Sequence, residues 1–212
     1  MKLAVFGATG AIGGHVVRQA LDAGHKVTAV VRDASRLRVD DPGLEVVTVP
    51  GLTDPAPLVP ALDGCDAAIT GVGPRRPREV TVASSTTRGI LAALERSHVH
   101  RFVAVSAVPV GPVPEGESFR NRYLLLPLVG RLLRGIYGDL AVMEDEIMRS
   151  DTDWTIVRPP RLDGRPFTGR YRMTIGGNVP GSRVMSKADV AHAMLAALDN
   201  PATIRQAVGV SG

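Results

Sequence analysis

A chain of 212 residues, with 44% hydrophobic and 22% charged residues, is ample for one large domain or two small ones with a sizeable core. The net charge of +4 comes mostly from scattered arginines, and aromatics make up only 4%, so the basic, aromatic-studded surface of a nucleic-acid binder is absent. Cys65 is the single cysteine, which excludes an intramolecular disulfide and a cysteine-based metal site. No run reaches the ~18 apolar residues of a membrane span, and the chain opens directly on an apolar strand without room for a leader. The expectations are a cytoplasmic protein with no metal and with neither nucleic acid nor membrane as partner.

Lys2 to Phe6 is an apolar run too short for a helix, and it reads as a buried strand. Gly7, Gly10 and Gly13 follow at the spacing Gly-x-x-Gly-x-x-Gly, and from Ala11 to Ala23 the pattern turns helical. Such a turn lets backbone approach a diphosphate seated on the helix N-terminus, and Gly13 lets the helix pack close to the strand. His25 to Val31 returns as a second strand, completing a dinucleotide-binding unit. Its tip reads Val31-Arg32-Asp33-Ala34-Ser35-Arg36. Arg32 and Arg36, with Ser35 as hydroxyl donor, suit the 2′-phosphate of NADP(H). The competing reading makes the arginines solvated charges and Asp33 a ribose ligand, as in NAD(H) sites.

Asp40 to Gly43 is a turn, Leu44 to Val49 the third strand, and Pro50 to Pro60 leads into a short helix through Leu62 with Thr53 or Asp54 as N-cap. In related cofactor folds the residues after the third strand lie over the adenine, the place that Leu52 and Thr53 would take here. Asp66 to Val72 is the fourth strand. Its end, Gly71-Val72-Gly73, offers bare backbone beneath the nicotinamide-side ribose, or else is a plain turn. The basic cluster Arg75-Arg76-Pro77-Arg78 falls in a loop. Glu79 to His98 is a helix and Arg101 to Val105 the fifth strand, ending at Ser106-Ala107. Strand and helix alternate throughout, which implies a parallel sheet with helices on both faces and a single domain, 1–212. Ligands bind beyond the carboxyl ends of such strands, so loops at about 107–137 and 159–185 form the substrate region.

Arg122 to Ile136 is leucine-rich but broken by Pro127 and Gly130, and reads as core, lid or dimer face. Asp139 to Ser150 is a helix carrying Glu144, Asp145 and Glu146, expected on a solvated face. Asp153 to Val157 is the sixth strand, ending in Arg158-Pro159-Pro160-Arg161; Arg158 and Arg161 either anchor the loop or bind an anion. Tyr171 to Ile175 is expected to pair near Val184. Ser186 caps a helix to Leu198, and Gln206 to Val210 is the last strand. The histidines, His15, His25, His98, His100 and His192, read as structural or solvated.

The turn Gly7-Ala8-Thr9-Gly10-Ala11-Ile12-Gly13, the tip Val31-Arg32-Asp33, the run Asp153 to Pro160 and Ser186-Lys187-Ala188-Asp189-Val190-Ala191 resemble the atypical short-chain dehydrogenase/reductases. Within them the chain is most similar to the NAD(P)H-binding, NmrA-like group that holds the NADPH-dependent flavin (biliverdin IXβ) reductases, which Pro166 to Tyr171 and Pro180 to Lys187 also resemble. The resemblance implies a Rossmann-type doubly wound α/β fold with strand order 3-2-1-4-5-6 or an extension of it. It implies a cofactor site of Gly7, Thr9, Gly10, Ala11, Ile12, Gly13, Arg32, Ser35, Arg36, Leu52, Thr53, Gly71, Val72, Gly73, Ser106 and Pro159. The departures matter. The Tyr-Lys pair of ordinary short-chain dehydrogenases is missing, because Tyr137 is followed four residues on by Ala141 and Tyr123 by Pro127. The serine and histidine of the flavin reductases align with Ala107 and Arg161, leaving Ser106, one residue earlier, and Arg161 as the catalytic candidates. A guanidinium does not donate a proton but stabilises an anion.

These features imply an NADPH-dependent reductase, monomeric or a small homo-oligomer, that passes hydride to a small planar acceptor such as a flavin, quinone or conjugated carbonyl. Flavin enters as substrate rather than as a resident group. The alternatives are a non-catalytic NADP(H) sensor that engages a partner through Leu124–Leu133, and a dehydratase, epimerase or cyclase on the same fold.

Overall fold

The computed structural model describes residues 1–73, 80–113 and 134–212. Arg75, Arg76, Arg78, Tyr123 and Leu124–Leu133 lie outside these residues. The apolar runs of the central strands form strands because each is short and covered on both faces, while β3 (Leu44–Thr48) is an exposed edge. Strands β1 (Lys2–Phe6), β2 (Lys26–Val31), β3 (Leu44–Thr48), β4 (Ala67–Thr70), β5 (Arg101–Val105), β6 (Asp153–Arg158), β8 (Arg172–Ile175) and β10 (Gln206–Ser211) make one sheet, and β7 (Arg161–Asp163) pairs with β9 (Val184–Ser186) in a separate ribbon. The main sheet runs β3-β2-β1-β4-β5-β6-β10-β8, parallel up to β10 and antiparallel only at β8. The expected order is thus present and extended by two strands.

Alternation along each strand feeds two cores. Leu3 and Val5 of β1 join one, with Val103, Val157 and Val208, beneath helices α1 (Gly13–Asp22) and α4 (Lys187–Leu198). Ala4 and Phe6 join the other, with Phe102 and Ile156, beneath α2 (Val82–Glu95) and α3 (Arg134–Arg149). Phe6, Phe102, Ile156 and Ile147 are fully buried, each contributing about 1.5–3 kcal/mol on removal from water. Among the described residues no helix is long and apolar enough to cross a membrane.

Several local expectations are corrected. The strand at Arg172–Ile175 does not pair near Val184; it runs antiparallel to β10, with Thr174 opposite Gly209 and Arg172 opposite Ser211. Val184 instead lies parallel to Arg161. Gly209 makes this possible, since a side chain there would strike the Asn178 backbone of the segment crossing β10. The helix expected after Pro50 is reduced to a 3-10 turn at Pro60–Leu62, and Asp54 caps a turn by accepting the Ala56 N–H at 3.0 Å. The helix α3 extends upstream of Asp139 to Arg134. Asp139 looks like a helix start but serves another helix: its carboxylate accepts the N–H groups of Ala83 (2.8 Å) and Ser84 (3.1 Å), capping α2. Glu144 is not on a solvated face. It is 2% exposed and pairs with Arg158.

Candidate cofactor site

The parallel register brings the strand ends together. Phe6 is level with Val30 and Thr70, Thr70 with Ala104, and Val105 with Val157. Gly7, Arg32, Gly71, Ser106 and Pro159 therefore all emerge along one edge of the sheet. From β1 the chain passes outward to β2 and β3 and then returns to β4 on the other side. That reversal opens a crevice between β1 and β4 at the carboxyl edge, where open α/β sheets take their ligands.

The glycine turn closes this crevice from below. Gly7 has φ +75°, a conformation that side chains disfavour, and its carbonyl accepts the Gly10 N–H at 2.8 Å. A Cβ on Gly13 would stand 2.7 Å from the Gly7 carbonyl carbon, and one on Gly71 would stand 3.0 Å from Gly13 N. The bare backbone of Gly71 is thus required by the start of α1 itself. Gly73, by contrast, faces open space within 4 Å. The N-terminus of α1 has no side-chain cap and no acid in its first turn. α2 is capped by Asp139, and α4 by Ser186, whose Oγ accepts the Asp189 N–H at 3.0 Å. The uncapped end of α1 carries about half a positive charge, which suits a diphosphate.

At the tip of β2, Asp33 is exposed but occupied. Its Oδ1 accepts the Ser35 hydroxyl at 2.6 Å and the Ser35 N–H at 3.1 Å. These bonds, the hydroxyl's foremost, together with the charge of Arg36, hold its carboxyl below the ordinary range. Arg32 and Arg36 are exposed and form no ion pair among the described residues. The expected donor Ser35 thus spends its hydroxyl on Asp33. Leu52 is buried and Thr53 exposed, and α2 comes so close at Gly89 that a Cβ there would stand 2.8 Å from the Thr53 carbonyl carbon.

On the opposite side of the crevice, Ser106 N–H donates to the Val157 carbonyl at 2.8 Å and Val108 N–H to that of Pro159 at 2.9 Å. These bonds tie the end of β5 to the end of β6. Ser106 is 7% exposed, and its Oγ has no hydrogen-bond partner among the described residues. A buried hydroxyl without a partner is costly, and a ligand in the crevice would supply one. Arg158 does not reach for an anion: its Nε lies 3.0 Å from Glu144 Oε1 and its Nη2 2.5 Å from Oε2, out of water. Arg161 stands exposed on β7 with no ion pair among the described residues. Glu144 escaped sequence reasoning, yet a signal was present: it lies on the same helical stripe as the buried Leu140, Met143 and Ile147.

Residues 167–170 are held on α4 by Asp189, which is 3% exposed. Its carboxylate accepts from Thr168 N–H (2.9 Å), Thr168 Oγ1 (3.0 Å), Gly169 N–H (2.9 Å) and Ser186 Oγ (2.7 Å). Burial raises its pKa, but these bonds outweigh burial and the net shift is downward. Beside it Tyr171 Oη lies 2.7 Å from His192 Nδ1. His192 also packs its ring against Phe167, with centroids 5.1 Å apart.

Residues 7–201 match the model of the NAD(P)H-binding protein family. An uncharacterised chloroplastic protein of Arabidopsis thaliana is 32% identical over 182 residues, covering 81% of this chain; the chain spans 63% of that relative's length. Two solved structures share the fold. A short-chain dehydrogenase/reductase from Veillonella parvula in complex with NADP superposes with TM-score 0.81 at 20% identity, over 100% of this chain and 94% of its own. A putative NADH-flavin reductase from Streptococcus pneumoniae does so with TM-score 0.80 at 23% identity, over 100% and 99%.

Proposed function

The chain belongs to the NAD(P)H-binding family, and on that premise we propose that it is an NADPH-dependent reductase that delivers hydride to a planar conjugated acceptor, a flavin, quinone or related carbonyl. The observation that carries the choice of cofactor is the tip of β2. Asp33, the carboxylate that would bind a ribose diol and repel a 2′-phosphate, is tied down by Ser35, while Arg32 and Arg36 stand exposed beside it with no ion pair among the described residues. Two guanidinium groups around a phosphate monoester make paired, charge-assisted bonds. The α1 N-terminus and the turn from Gly7 to Gly13, with Thr9, Ala11 and Ile12, hold the diphosphate. Leu52 and Thr53 flank the adenine, and Val72, Gly73, Ser106 and Pro159 line the nicotinamide side.

Bound NADPH supplies a hydride, and the acceptor takes its remaining proton from water. An acceptor of this kind fits a site without a Tyr-Lys pair, because proximity and orientation supply most of the rate. Tyr137 has no lysine four residues on, and the lysines Lys2, Lys26 and Lys187 lie elsewhere in the chain. Ser106 offers a hydroxyl to the reacting ring, and Arg161 stabilises the anion that forms before protonation. The likeness of fold to a putative NADH-flavin reductase supports this class of acceptor.

The test is a fluorescence titration with NADPH and NADH, followed by FMN and quinones in the same cuvette. Tighter binding of NADPH, with oxidation once acceptor is added, is expected. Tight binding with no turnover of any acceptor would replace the reductase with a cofactor-reading sensor.

A further inference from the structure

The two loops assigned to the substrate region meet at one buried side chain. Asn178 is 4% exposed and lies in the segment that crosses β10, where the Gly209 N–H holds the Gly177 carbonyl at 2.8 Å. Its Nδ2 donates to two carbonyls of the other loop, Val108 at 3.0 Å and Pro112 at 2.9 Å. Between those residues sits Gly111. A Cβ there would stand 2.9 Å from Asn178 Nδ2 and 2.9 Å from the Arg158 guanidinium carbon. Arg158 is in turn fixed by Glu144 of α3. Three separate elements thus converge on the five residues 108–112, which begin two positions after Ser106.

Such convergence is more than the stability of a surface loop requires. A loop of this length at the edge of a sheet is ordinarily left to solvent, its carbonyls hydrated. Here the carbonyls of Val108 and Pro112 are instead read by a side chain from a distant part of the chain, at the mouth of the crevice. The Oδ1 of the same amide has no partner among the described residues, so the side chain acts here through its two Nδ2 donors.

We propose that Asn178 is a positioning residue: it latches residues 108–112 to the 176–180 segment and so fixes Ser106 and the width of the acceptor entrance. This rests on the reductase reading for its effect on turnover, but not for the latch itself. Losing the latch leaves the glycine turn and the β2 tip, at the far side of the crevice, untouched. The cofactor then binds as before while the acceptor is held less well. A displacement of about 1 Å at a reacting group costs up to ~100-fold in rate.

Asn178→Ala removes both donors, and Gly111→Ala pushes the same loop away while leaving Asn178 intact. For both variants, hydrogen exchange of the 108–112 amides and NADPH affinity are measured beside kcat and KM for the acceptor used by the wild type. Faster exchange at 108–112, NADPH affinity within about twofold, and an acceptor kcat/KM lower by about 10- to 100-fold are expected. Unchanged exchange overturns the latch. Faster exchange with unchanged acceptor kinetics overturns the positioning role. A wild type that fails to oxidise NADPH with any flavin or quinone offered sinks the reductase reading and with it the effect on turnover, while exchange still decides the latch.

Discussion

Ser35 closes on Asp33 at the tip of β2, its hydroxyl 2.6 Å and its amide nitrogen 3.1 Å from the same carboxylate oxygen. The turn that results turns a ribose-binding type of residue into a local cap and leaves the two neighbouring guanidinium groups exposed, with no ion pair among the described residues.

Replacing those groups separates the two cofactors. Charge-assisted hydrogen bonds are worth about 1.5–3 kcal/mol, so Arg32→Ala and Arg36→Ala each weaken NADPH by about 10- to 100-fold. NADH affinity changes by less than about threefold, since it has no 2′-phosphate to lose. Ser35→Ala frees Asp33 and shifts the preference toward NADH. Fluorescence titration of the variants with both cofactors checks each point.

Ser106→Ala separates stability from turnover. The hydroxyl has no partner among the described residues, so deleting it costs folding almost nothing; the thermal midpoint stays within about 2 °C or rises. Acceptor reduction falls at least about tenfold, in keeping with the loss of a positioned polar group. Equal kcat values for the two proteins would remove Ser106 from the reaction.

Glu144 and Arg158 behave in the opposite way. Breaking a buried pair by removing one member costs about 3–5 kcal/mol, because the other charge is left stranded. Glu144→Gln is expected to lose that much in urea unfolding, and Arg158→Met a similar amount. The double variant with Glu144→Leu recovers most of it, since apolar replacements restore packing without a lone charge.

The carboxylate that docks residues 167–170 makes stability depend on acid. Asp189 is depressed in the folded protein relative to the unfolded value of about 3.9. Its contribution is therefore complete above that value and is lost as pH falls through the folded pKa. Asp189→Asn puts an amide nitrogen where Oδ2 accepts both the Thr168 and Ser186 hydroxyls, and that nitrogen cannot accept them. It loses about 1–3 kcal/mol at neutral pH, and the gap to the wild type closes on acidification. Urea midpoints from pH 7 downward read both curves.

What the sequence makes visible is what depends on neighbours in the chain. The turn from Gly7 to Gly13 and the flanking strands are local, and so is the Ser186 cap. What it hides depends on packing between distant segments. Glu144 reads as one of three adjacent acids until β6 places Arg158 against it. Asp139 reads as the beginning of its own helix until α2 presents Ala83 and Ser84 to it. Asn178 carries no periodic signal, because its partners are carbonyls that every residue possesses. The mispairing of the Arg172–Ile175 strand has the same origin: short strands choose partners by the edge left open, and that edge is set by β10, far along the chain.

The place of β10 also bears on the order in which the molecule is made. It inserts between β6 and β8, both of which leave the ribosome before it does, and aligns Gln206 with Thr155. Until β10 is available, β6 has one edge unpaired and β8 has no strand partner. The nascent chain then carries an unpaired strand edge on β6, which makes this half of the sheet late to fold. The strands β1, β2, β3 and β4 pair earlier, yet the core beneath α1 is completed only when α4 and Val208 arrive to cover it.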